Sequence, residues 1–475
     1  MSIAFVSTPS IDTATAAAPA PAPPAHPHLP PMVRTASGWA PKAPSTLEET
    51  GLDAWILNDL ALKLTATLPH ASTEWAADQL RLPVTLVERI FWQLKQDQLI
   101  EILGQTGEFG YRYAATDRGR EAARRSMEVS GYVGPAPVSL AAYSAMLDWQ
   151  SRQRPKTAFG RVREAIASIV LPEATVEVAA LAAQSNRSLF LFGPPGNGKT
   201  SLGRALHTVQ EGELWIPYCF SLESSIIRIY DRQIHKPLDV NDANAENPVS
   251  SVFDAGKIDR RWIHIKPPFV VAGGEMTMAE LDLAYSPSLR YYEAPPHLKA
   301  NGGTFLIDDF GRQRIAPADL LNRWIIPLEH QVDHLTLAAG QKIEVPFRLM
   351  LIVATNLAVS DVADPAFLRR MGYRVHIKTP TAQTYAEIFR RYARNAQVEI
   401  PPGLIEQLLA RYRAENRALR GSEPRDLIER AREVCHLRQQ PFALTTDVLN
   451  TAWLAYFGDP SEAGEEVEQI SAMRA

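Results

Sequence analysis

Five strongly apolar runs alternate with helical patterns between residues 160 and 380 of the sequence. The runs are "SLFLFG", "LWIPYCF", "TFLIDDF", "LMLIVATN" and "YRVHIK". A strand that is apolar at almost every position is typical of a parallel sheet with helices on both faces. The pattern therefore predicts an α/β core with a parallel sheet over residues 160–380.

Helical and strand patterns also mark a smaller region over residues 50–128. Helical spacing is found in "LDAWILNDLALKLTATL", "STEWAADQLRL" and "LPVTLVERIFWQLKQDQLI", and the last of these places Leu86, Ile90 and Leu94 on one face. Two strands around a glycine-bearing turn follow in "IEILGQTGEFGYRYAAT", and "DRGREAARRSM" predicts a further helix with Asp117 as its cap. Three helices, a hairpin and a closing helix resemble a winged helix, and "GYRYAATDRGREAAR" is similar to the wing and last helix of many bacterial regulators.

A winged helix has two uses here, and the charges on its third helix help to separate them. DNA binding would place that helix in the major groove, whereas the alternative is docking of a protein. The third helix contains Glu88, Arg89, Lys95 and Asp97, whose charges nearly cancel. Because strong DNA binders usually present a basic stripe, the sequence favours protein docking over DNA contact through residues 50–128.

The remaining segments are distinguished by their composition. Residues 1–48 are rich in Ala and Pro, as in "ATAAAPAPAPPAHPHLPP", and such a segment cannot offset its ordering entropy, which predicts a disordered arm. "GYVGPAPVSL" predicts a linker over residues 129–159. Residues 381–457 show only helical patterns, and residues 458–475 are expected to form a tail.

Length, charge and cysteine content narrow the class of protein. The chain has 475 residues, enough for two or three domains, and its formal net charge of −4 gives no global basic field that points to nucleic acid. Cys219 and Cys435 lie far apart in sequence and cannot form a zinc cluster alone, and this usage fits a reducing compartment. No apolar run reaches the roughly 18 residues of a membrane helix, and the start "MSIAFVSTPS" lacks the basic lead of a signal peptide. We therefore expect a soluble cytoplasmic protein with no membrane partner.

Phosphate-binding chemistry is predicted where the first apolar run ends. "LFLFGPPGNGKT", Leu189 to Thr200, matches the phosphate-binding pattern G-x-x-x-x-G-K-[ST]. Glycines let successive backbone N–H groups point at phosphate oxygens, Lys199 reaches the β- and γ-phosphates, and the Thr200 hydroxyl ligates Mg²⁺. A strand that ends in an ordinary turn is the alternative. The residues predicted to bind ATP in this loop are Gly193, Pro194, Pro195, Gly196, Asn197, Gly198, Lys199, Thr200 and Ser201.

Two carboxylates about 100 residues further on complete a predicted site for ATP and Mg²⁺. "GGTFLIDDF" ends an apolar strand in Asp308 and Asp309. Asp308 is placed to hold Mg²⁺ through water, with Thr200 as the second metal ligand, and Asp309 is placed to orient or deprotonate the attacking water. Paired acids alone can also end a strand in solvent, but their position after a phosphate loop favours the metal site.

Four further polar residues are candidates for contact with the triphosphate. Asn356 ends "LMLIVATN" and is placed to touch the water or the γ-phosphate, although Asn is also common in turns. Arg369 and Arg370 are adjacent in "DPAFLRRMGYRV", and an arginine stabilises charge on a transferring phosphoryl group. Arg425 begins a helix in "GSEPRDLIERARE". A solvated basic pair and a surface arginine are the alternatives for these three.

These motifs, in the order "GPPGNGKT", "FLIDD", "VATN", "FLRR" and "GSEPRDL", resemble an AAA+ ATPase over residues 160–457. The resemblance implies a five-stranded parallel sheet with the order 5-1-4-3-2, a helical lid over residues 381–457, and assembly into a ring that is usually hexameric. It implies the following roles: Walker A for Lys199 and Thr200, Walker B for Asp308, the position of the catalytic Glu for Asp309, sensor 1 for Asn356, the arginine finger for Arg369 or Arg370, and sensor 2 for Arg425.

Two stretches narrow the resemblance to one clade. "EHQVDHLTLAAGQKIEVPFRLMLIVATN" predicts a hairpin, Val332–Leu337 and Lys342–Phe347 around Gly340, before sensor 1. A long insertion in "YYEAPPHLKANGGTFLIDD" precedes the Walker B strand. Both are similar to the pre-sensor-1 hairpin clade, which includes MoxR-like chaperones. The sequence lacks a GAFTGA-type loop, which argues against the enhancer-binding activators of that clade.

The leading hypothesis from the sequence is an ATPase that couples hydrolysis of Mg-ATP to remodelling of a protein client. A DNA-associated regulator that uses the winged helix is an alternative. Asp309 is one methylene shorter than the usual Glu, and a misplacement near 1 Å can cost on the order of 10²-fold in rate, so a slowly hydrolysing nucleotide switch is another. "RRWIHIKPPFVVAGGEMT" could form a pore loop, but its apolar run favours a core strand and turn.

Overall fold

The structure of the chain is a computed structural model that describes residues 26–35, 38–106, 110–238, 256–358 and 365–458. The helices, in chain order, are α1 (Ala54–Ala66), α2 (Thr73–Leu80), α3 (Val84–Gln96), α4 (Asp117–Val129), α5 (Leu140–Gln153), α6 (Phe159–Ala165), α7 (Glu173–Ser185), α8 (Lys199–Thr208), α9 (Pro296–Lys299), α10 (Pro317–His330), α11 (Pro365–Arg370), α12 (Ala382–Asn395), α13 (Leu404–Ala414), α14 (Glu423–Leu437) and α15 (Thr446–Phe457). The strands, in chain order, are β1 (Met32–Thr35), β2 (Gly38–Pro41), β3 (Ala71–Ser72), β4 (Ile100–Thr106), β5 (Gly110–Ala115), β6 (Val138–Ser139), β7 (Leu189–Phe192), β8 (Leu214–Pro217), β9 (Cys219–Leu222), β10 (Ser225–Arg228), β11 (Trp262–Ile265), β12 (Phe269–Ala272), β13 (Ala284–Ser286), β14 (Tyr291–Glu293), β15 (Thr304–Ile307), β16 (Val332–Thr336), β17 (Lys342–Pro346), β18 (Met350–Thr355) and β19 (Tyr373–His376).

Five parallel strands form the central sheet, in the order β12-β15-β18-β7-β19. Numbered by their own order along the chain, they read 5-1-4-3-2 from the β19 edge, which confirms the predicted strand order. Because parallel strands end at the same edge, the residues that follow β7, β15 and β18 meet there. The sheet therefore brings together three of the stretches that were predicted to form the site.

Side chains of the central strands alternate between two apolar layers. On one face, Leu306 and Ile352 belong to the same buried cluster as Leu202 of α8. On the other face, Phe305 packs against Trp324 of α10, with ring centroids 5.8 Å apart. Burial of a large apolar side chain stabilises a fold by about 1.5–3 kcal/mol, so the sheet is held between helices on both sides.

One of the five apolar runs lies outside this sheet, and the expectation that it forms a core strand is wrong. "LWIPYCF" forms β8, which pairs with β11, and β9, which pairs with β10 and β6. Its place beside β15 is taken by β12, the "FVVA" of "RRWIHIKPPFVVAGGEMT", as favoured for that stretch. "LWIPYCF" and "FVVA" are similarly apolar, so their local sequence does not show which of them joins the central sheet. Only the pairing of β12 with β15 shows it.

A second β layer, in the order β13-β14-β10-β9-β6, contains the segment that was predicted to be a linker. Within residues 129–159, β6 pairs with β9, and the Ser139 hydroxyl caps α5 by accepting from the Ala142 N–H at 3.1 Å. Tyr143 and Met146 are fully buried, and the Tyr143 ring stacks on Phe220. The linker prediction is therefore wrong, because the Gly and Pro residues of "GYVGPAPVSL" precede an apolar helix that packs into this layer.

The Ala/Pro-rich arm is ordered where the structure describes it. β1 and β2 form an antiparallel hairpin, and the Ala43 N–H donates to the Lys257 carbonyl at 2.7 Å. Leu29 and Met32 pack against the apolar cluster of the second β layer. Disorder is thus the wrong prediction for residues 26–35 and 38–48, because their apolar side chains find a surface to cover. Residues 1–25 and residues 459–475 of the predicted tail lie outside the described residues.

Helices α1, α2 and α3, the β4–β5 hairpin with β3, and α4 surround one buried cluster in the N-terminal region. Thr116, and not the predicted Asp117, caps α4, because its hydroxyl accepts from the Gly119 N–H at 3.0 Å. The winged-helix interpretation of this region stays a prediction.

The C-terminal region is a helical domain made of α12, α13, α14 and α15 around its own buried cluster. Immediately before β18 in the chain, β16 and β17 form the predicted hairpin, with Gly340 in its turn at φ 84°. Among the described residues, no helix combines the length and the apolarity needed to cross a bilayer.

Candidate nucleotide-binding site

The loop between β7 and α8 requires glycine at three positions. Gly193, Gly196 and Gly198 have φ values of 136°, 75° and 88°, which side chains rarely tolerate. A Cβ atom on Gly193 would also lie 2.1 Å from the Ile377 carbonyl oxygen. The loop therefore curves tightly between the end of β7 and the first turn of α8, and α8 directs its N-terminus and positive dipole end at the loop.

Lys199 is buried in the first turn of α8 and reaches back over the loop. Its Nζ donates to the carbonyl oxygens of Gly193 and Pro194, each at 2.8 Å. Burial lowers the pKa of Lys199, and the nearby Asp309 and Asp308 carboxylates oppose that shift. The ammonium group is thus held beside the loop with both acids close to it.

Thr200 and Asp308 meet across the site as the sequence predicts for a metal pair. The Thr200 hydroxyl lies 2.9 Å from both Asp308 carboxylate oxygens. Hard oxygen donors of this kind suit Mg²⁺, which also takes water and phosphate oxygens. No set of three or more His, Cys, Asp or Glu side chains that could hold a metal occurs among the described residues, so a cation here would depend on such additional ligands.

Asp309 and Asn356 are also neighbours, although they follow different strands. The Asn356 Nδ2 donates to Asp309 Oδ1 at 2.7 Å. Two bonds align the segments that contain them, since the Phe310 N–H donates to the Ala354 carbonyl and the Thr355 hydroxyl donates to the Phe310 carbonyl. Asp309 has φ 47°, a left-handed conformation that is uncommon for a residue other than glycine.

A cavity of about 680 Å³ joins these groups into one site. The floor of the cavity is formed by the loop residues from Pro195 to Ser201. The carbonyl oxygens of Gly193 and Pro194 accept hydrogen bonds from Lys199 and so hold its side chain at the cavity. The remaining lining residues are Ser168, Ile169, Val170, Asp308, Asp309, Arg312, Asn356, Ile388, Tyr392, Asn395, Gly421, Ser422 and Arg425.

The helical domain touches the phosphate loop directly. The Ser422 N–H donates to the Gly196 carbonyl at 2.8 Å, and the Gly421 N–H donates to Asn197 Oδ1 at 2.9 Å. Arg425 lies one helical turn after Ser422 and lines the cavity. Its Nε donates to Asp426 Oδ1 at 2.9 Å. The predicted position of Arg425 therefore belongs to the same cavity as the loop.

Arg369 and Arg370 lie elsewhere. Both line a different cleft, at the edge of the sheet where the strands begin, together with Ser188 and Glu329. Arg370 pairs with Glu329 at 2.8 Å, and Arg369 is exposed. The structure thus separates these two arginines from the nucleotide cavity of their own chain.

Several cavity residues were not predicted from the sequence. Arg312 lines the cavity three residues after Asp309, and Gln313 fixes that segment by donating to the Asp308 carbonyl at 3.0 Å. Ile169 and Tyr392 come from segments far apart in sequence. A cation that follows the Asp308–Asp309 pair closely in sequence is a signal that could have found Arg312, whereas only the packing of α12 brings Tyr392 to the cavity.

The strand order, the glycine loop and the helical domain define an α/β P-loop fold of the AAA+ arrangement. A family model described as a domain of unknown function, DUF8689, matches residues 381–455, which is the helical domain alone. No curated protein matches the sequence.

Two solved structures are similar to parts of this chain. The RuvB Holliday junction branch migration motor of Thermotoga maritima matches with 15% identity, over 60% of this chain and 70% of that chain, with a TM-score of 0.34. NtrX from Brucella abortus in complex with ATP matches with 16% identity, over 75% of this chain and 68% of that chain, with a TM-score of 0.35. At this distance the fold of the present chain is assigned from its own strand order and loop.

Proposed function

We propose that this protein binds ATP with Mg²⁺ in the cavity at the phosphate loop and hydrolyses it to ADP and phosphate. The observation that supports this is the convergence of Lys199, the Thr200–Asp308 pair and the Asp309–Asn356 pair in one cavity. These groups supply a phosphate clamp, metal ligands and a site for the attacking water. The adenine is proposed to lie against Ile169, Ile388 and Tyr392.

The reaction that this arrangement supports is in-line attack of water on the γ-phosphorus. Asn356 occupies Asp309 Oδ1, which leaves Oδ2 to accept a hydrogen bond, and then a proton, from the water. A P–O bond to water forms while the bond between the γ-phosphorus and the bridging oxygen breaks, and ADP leaves. Bound Mg²⁺ would neutralise charge on the phosphate oxygens, with Thr200 and Asp308 to hold it.

Self-association into a ring is part of the proposal. Arg369 and Arg370 lie outside the cavity of their own chain, so either one could serve only the nucleotide of a neighbouring subunit. A hexamer is the assembly that the resemblance implies. The two arginines would then couple hydrolysis in one subunit to the position of the next.

The client is proposed to be a protein that docks on the N-terminal region. Trp92 is 60% exposed and Tyr111 is 39% exposed. Both line a groove between α3 and β5, together with the opposite charges of Glu88 and Arg89. An aromatic groove of nearly neutral charge suits a protein surface better than a DNA backbone, which calls for clustered cations. A DNA-associated regulator remains the alternative, and stimulation of hydrolysis by duplex DNA would favour it.

Binding of ATP by a Lys199→Ala variant tests the proposed site. Lys342→Ala changes an exposed lysine on β17 and is the matched control. We expect titration calorimetry to show that the control binds ATP as the unaltered chain does and that Lys199→Ala loses most of its affinity. Undiminished binding by Lys199→Ala, or no binding of ATP or ADP by the unaltered chain, would contradict the proposal. Nucleotide-dependent assembly without release of phosphate would instead support a nucleotide switch.

A further inference from the structure

A second cavity, of about 900 Å³, lies at the edge of the central sheet opposite to the phosphate loop. Helix α8 connects the two places, with Lys199 in its first turn at the loop and His207 in its last turn at this second cavity. The His207 ring stacks on Phe269 at the start of β12, with centroids 4.7 Å apart. This Trp-lined cavity is separate from the proposed ATP site and has no role in hydrolysis as described above.

Three tryptophans give the Trp-lined cavity flat aromatic walls. Trp39 from β2, Trp149 from α5 and Trp215 from β8 all line it, and each is only partly buried. The Trp215 ring stacks on His264, with centroids 4.4 Å apart and an angle of 6° between the planes. Indole surfaces that remain accessible in a cavity can stack on a planar ligand ring, as aromatic side chains do in single-strand binding proteins.

Three cations face the same space. Arg154, Lys236 and Lys266 line the Trp-lined cavity, and none of them forms an ion pair with a carboxylate of the described residues. Burial lowers the pKa of Arg154 to about 10, which leaves it protonated near pH 7. Its guanidinium is anchored by donation to the Glu211 carbonyl at 3.2 Å and to Gln210 Oε1 at 3.1 Å.

Two acids, Glu211 and Glu213, also line the cavity, and a hydrogen bond from His264 and then the charge of Lys266 lower the pKa of Glu213. Glu211 is paired with Arg161, and Glu213 lies 3.1 Å from His264 Nε2. Burial, then Arg154 and Lys236, lower the pKa of His207 to about 4, so it is neutral near pH 7. Among the described residues that line the cavity, the four cations Arg154, Arg161, Lys236 and Lys266 outnumber the acids Glu211 and Glu213, although the whole chain has a net charge of −4.

An indole N–H at the cavity has no acceptor. Trp149 Nε1 is buried and makes no hydrogen bond within the described structure. Because this nitrogen is buried, a ligand in the cavity would meet the accessible part of the Trp149 ring and not its N–H.

We propose that the Trp-lined cavity binds a nucleotide unit, a planar base with its phosphate, from a free nucleotide or a single-stranded nucleic acid. Aromatic walls for stacking, and cations that form no ion pair among the described residues, match the two parts of such a ligand. An acidic peptide would use the cations but would not stack on the accessible indole faces. The proposal does not depend on ATP binding at Lys199, so either one can fail without the other.

Fluorescence anisotropy of a labelled oligothymidylate of about 15 nucleotides tests the proposal on the full chain. All of these measurements use the Lys199→Ala variant as the background, so that binding of the probe at the phosphate loop does not contribute to the signal. We expect binding at about 50 mM salt that weakens strongly at about 200 mM, and at least a tenfold loss of affinity in Lys236→Glu/Lys266→Glu. Lys342→Glu, an exposed reversal on β17, is the matched control and should bind as the background does.

Two more measurements test the aromatic wall of the cavity and the source of the ligand. Trp215→Ala removes one aromatic wall of the cavity, and we expect a loss of affinity of at least about fivefold, as for one stacked base. Competition by thymidine monophosphate would assign the site to free nucleotides, and competition by the strand alone would assign it to nucleic acid. Absence of binding, loss of binding in Lys95→Glu on α3 in place of the cavity variants, or binding of poly-glutamate but not of the nucleotide probes would overturn the proposal.

Discussion

At the residue scale, Asp309 is held in position by its neighbours. Its N–H donates to Asp308 Oδ1 at 3.0 Å, and its carboxylate accepts from Asn356 at 2.7 Å. Its left-handed backbone costs of order 1 kcal/mol or more, and such strain is found where the surrounding structure imposes a conformation at a functional site. These contacts set the direction of the Asp309 carboxylate.

Asp309→Asn should abolish hydrolysis and preserve binding of ATP. The amide retains the shape of the side chain but cannot accept the proton of the attacking water. Phosphate release measured beside nucleotide affinity separates the two effects, and Asp319→Asn, an exposed change on α10, should leave both unaltered.

Unchanged turnover in Asp309→Asn would assign the base elsewhere, and the structure limits the options. Glu275 follows β12, the strand next to β15, and its carboxylate accepts from the Gly273 N–H at 3.1 Å. Glu293 lies in β14 of the second layer and pairs with Arg228 and Lys299. Glu275 is therefore the candidate that such a result would favour.

At the element scale, the phosphate loop depends on the backbone freedom of its first glycine. A Cβ atom at Gly193 would meet the Ile377 carbonyl oxygen at 2.1 Å, with a backbone that ordinary residues rarely adopt. Neither the carbonyl nor the adjacent strand β19 can move without disturbing the sheet. The conformation of the phosphate loop therefore depends on the position of the backbone that follows the edge strand β19.

Gly193→Ala should destabilise the core by about 2 kcal/mol or more and weaken ATP binding. For a domain of this size, that corresponds to a fall in the melting temperature of roughly 4–8 °C by calorimetry. Gly160→Ala in α6 is the control, because an added Cβ meets nothing within 4 Å there and the backbone is helical. Equal melting temperatures for the two variants would show that the loop is not constrained as described.

At the scale of the whole molecule, buried histidines predict a loss of stability in acid. Burial lowers the pKa of His207 to about 4, and it also lowers the pKa values of His235 and His297. In the unfolded chain these groups have the ordinary pKa near 6.5. The unfolded state therefore takes up protons first as the pH falls, which lowers the free energy of unfolding.

The melting temperature should fall progressively as the pH drops from about 6.5 to about 4. His207→Gln should make this fall shallower, because it removes one group whose pKa differs between the two states. His330→Gln changes an exposed histidine and should not alter the slope. A slope that His207→Gln leaves intact would mean that His207 takes up its proton in the folded chain as readily as in the unfolded one.

Assembly can be tested by mixing two inactive variants. We expect Arg369→Ala/Arg370→Ala and Lys199→Ala each to lose hydrolysis, and an equimolar mixture to recover part of it. Recovery would follow because a subunit with an intact phosphate loop would receive the arginines of its Lys199→Ala neighbour. No recovery in mixed assemblies whose subunits exchange would contradict action between subunits.

Much of the candidate site was predictable because its chemistry follows strands with a strong apolar signal. Lys199, Asp308 and Asn356 each come shortly after such a strand, and parallel strands end at one edge. The cap of α4 and the place of "LWIPYCF" were predicted wrongly for a common reason. The local sequence does not show which of two adjacent polar residues forms the capping hydrogen bond of a helix. It also does not show which sheet an apolar strand joins.

Residue types at short, regular spacing were enough to predict the glycine loop, the order of the polar groups along the chain and an α/β core with a parallel sheet, whereas the five-stranded order was implied by the resemblance. Tertiary structure alone decided the contact of Ser422 with the phosphate loop, the second β layer with α5, and the separation of Arg370 from its own nucleotide cavity. Those features join residues far apart in sequence. Their energy comes from burial and pairing that exist only once the chain has folded.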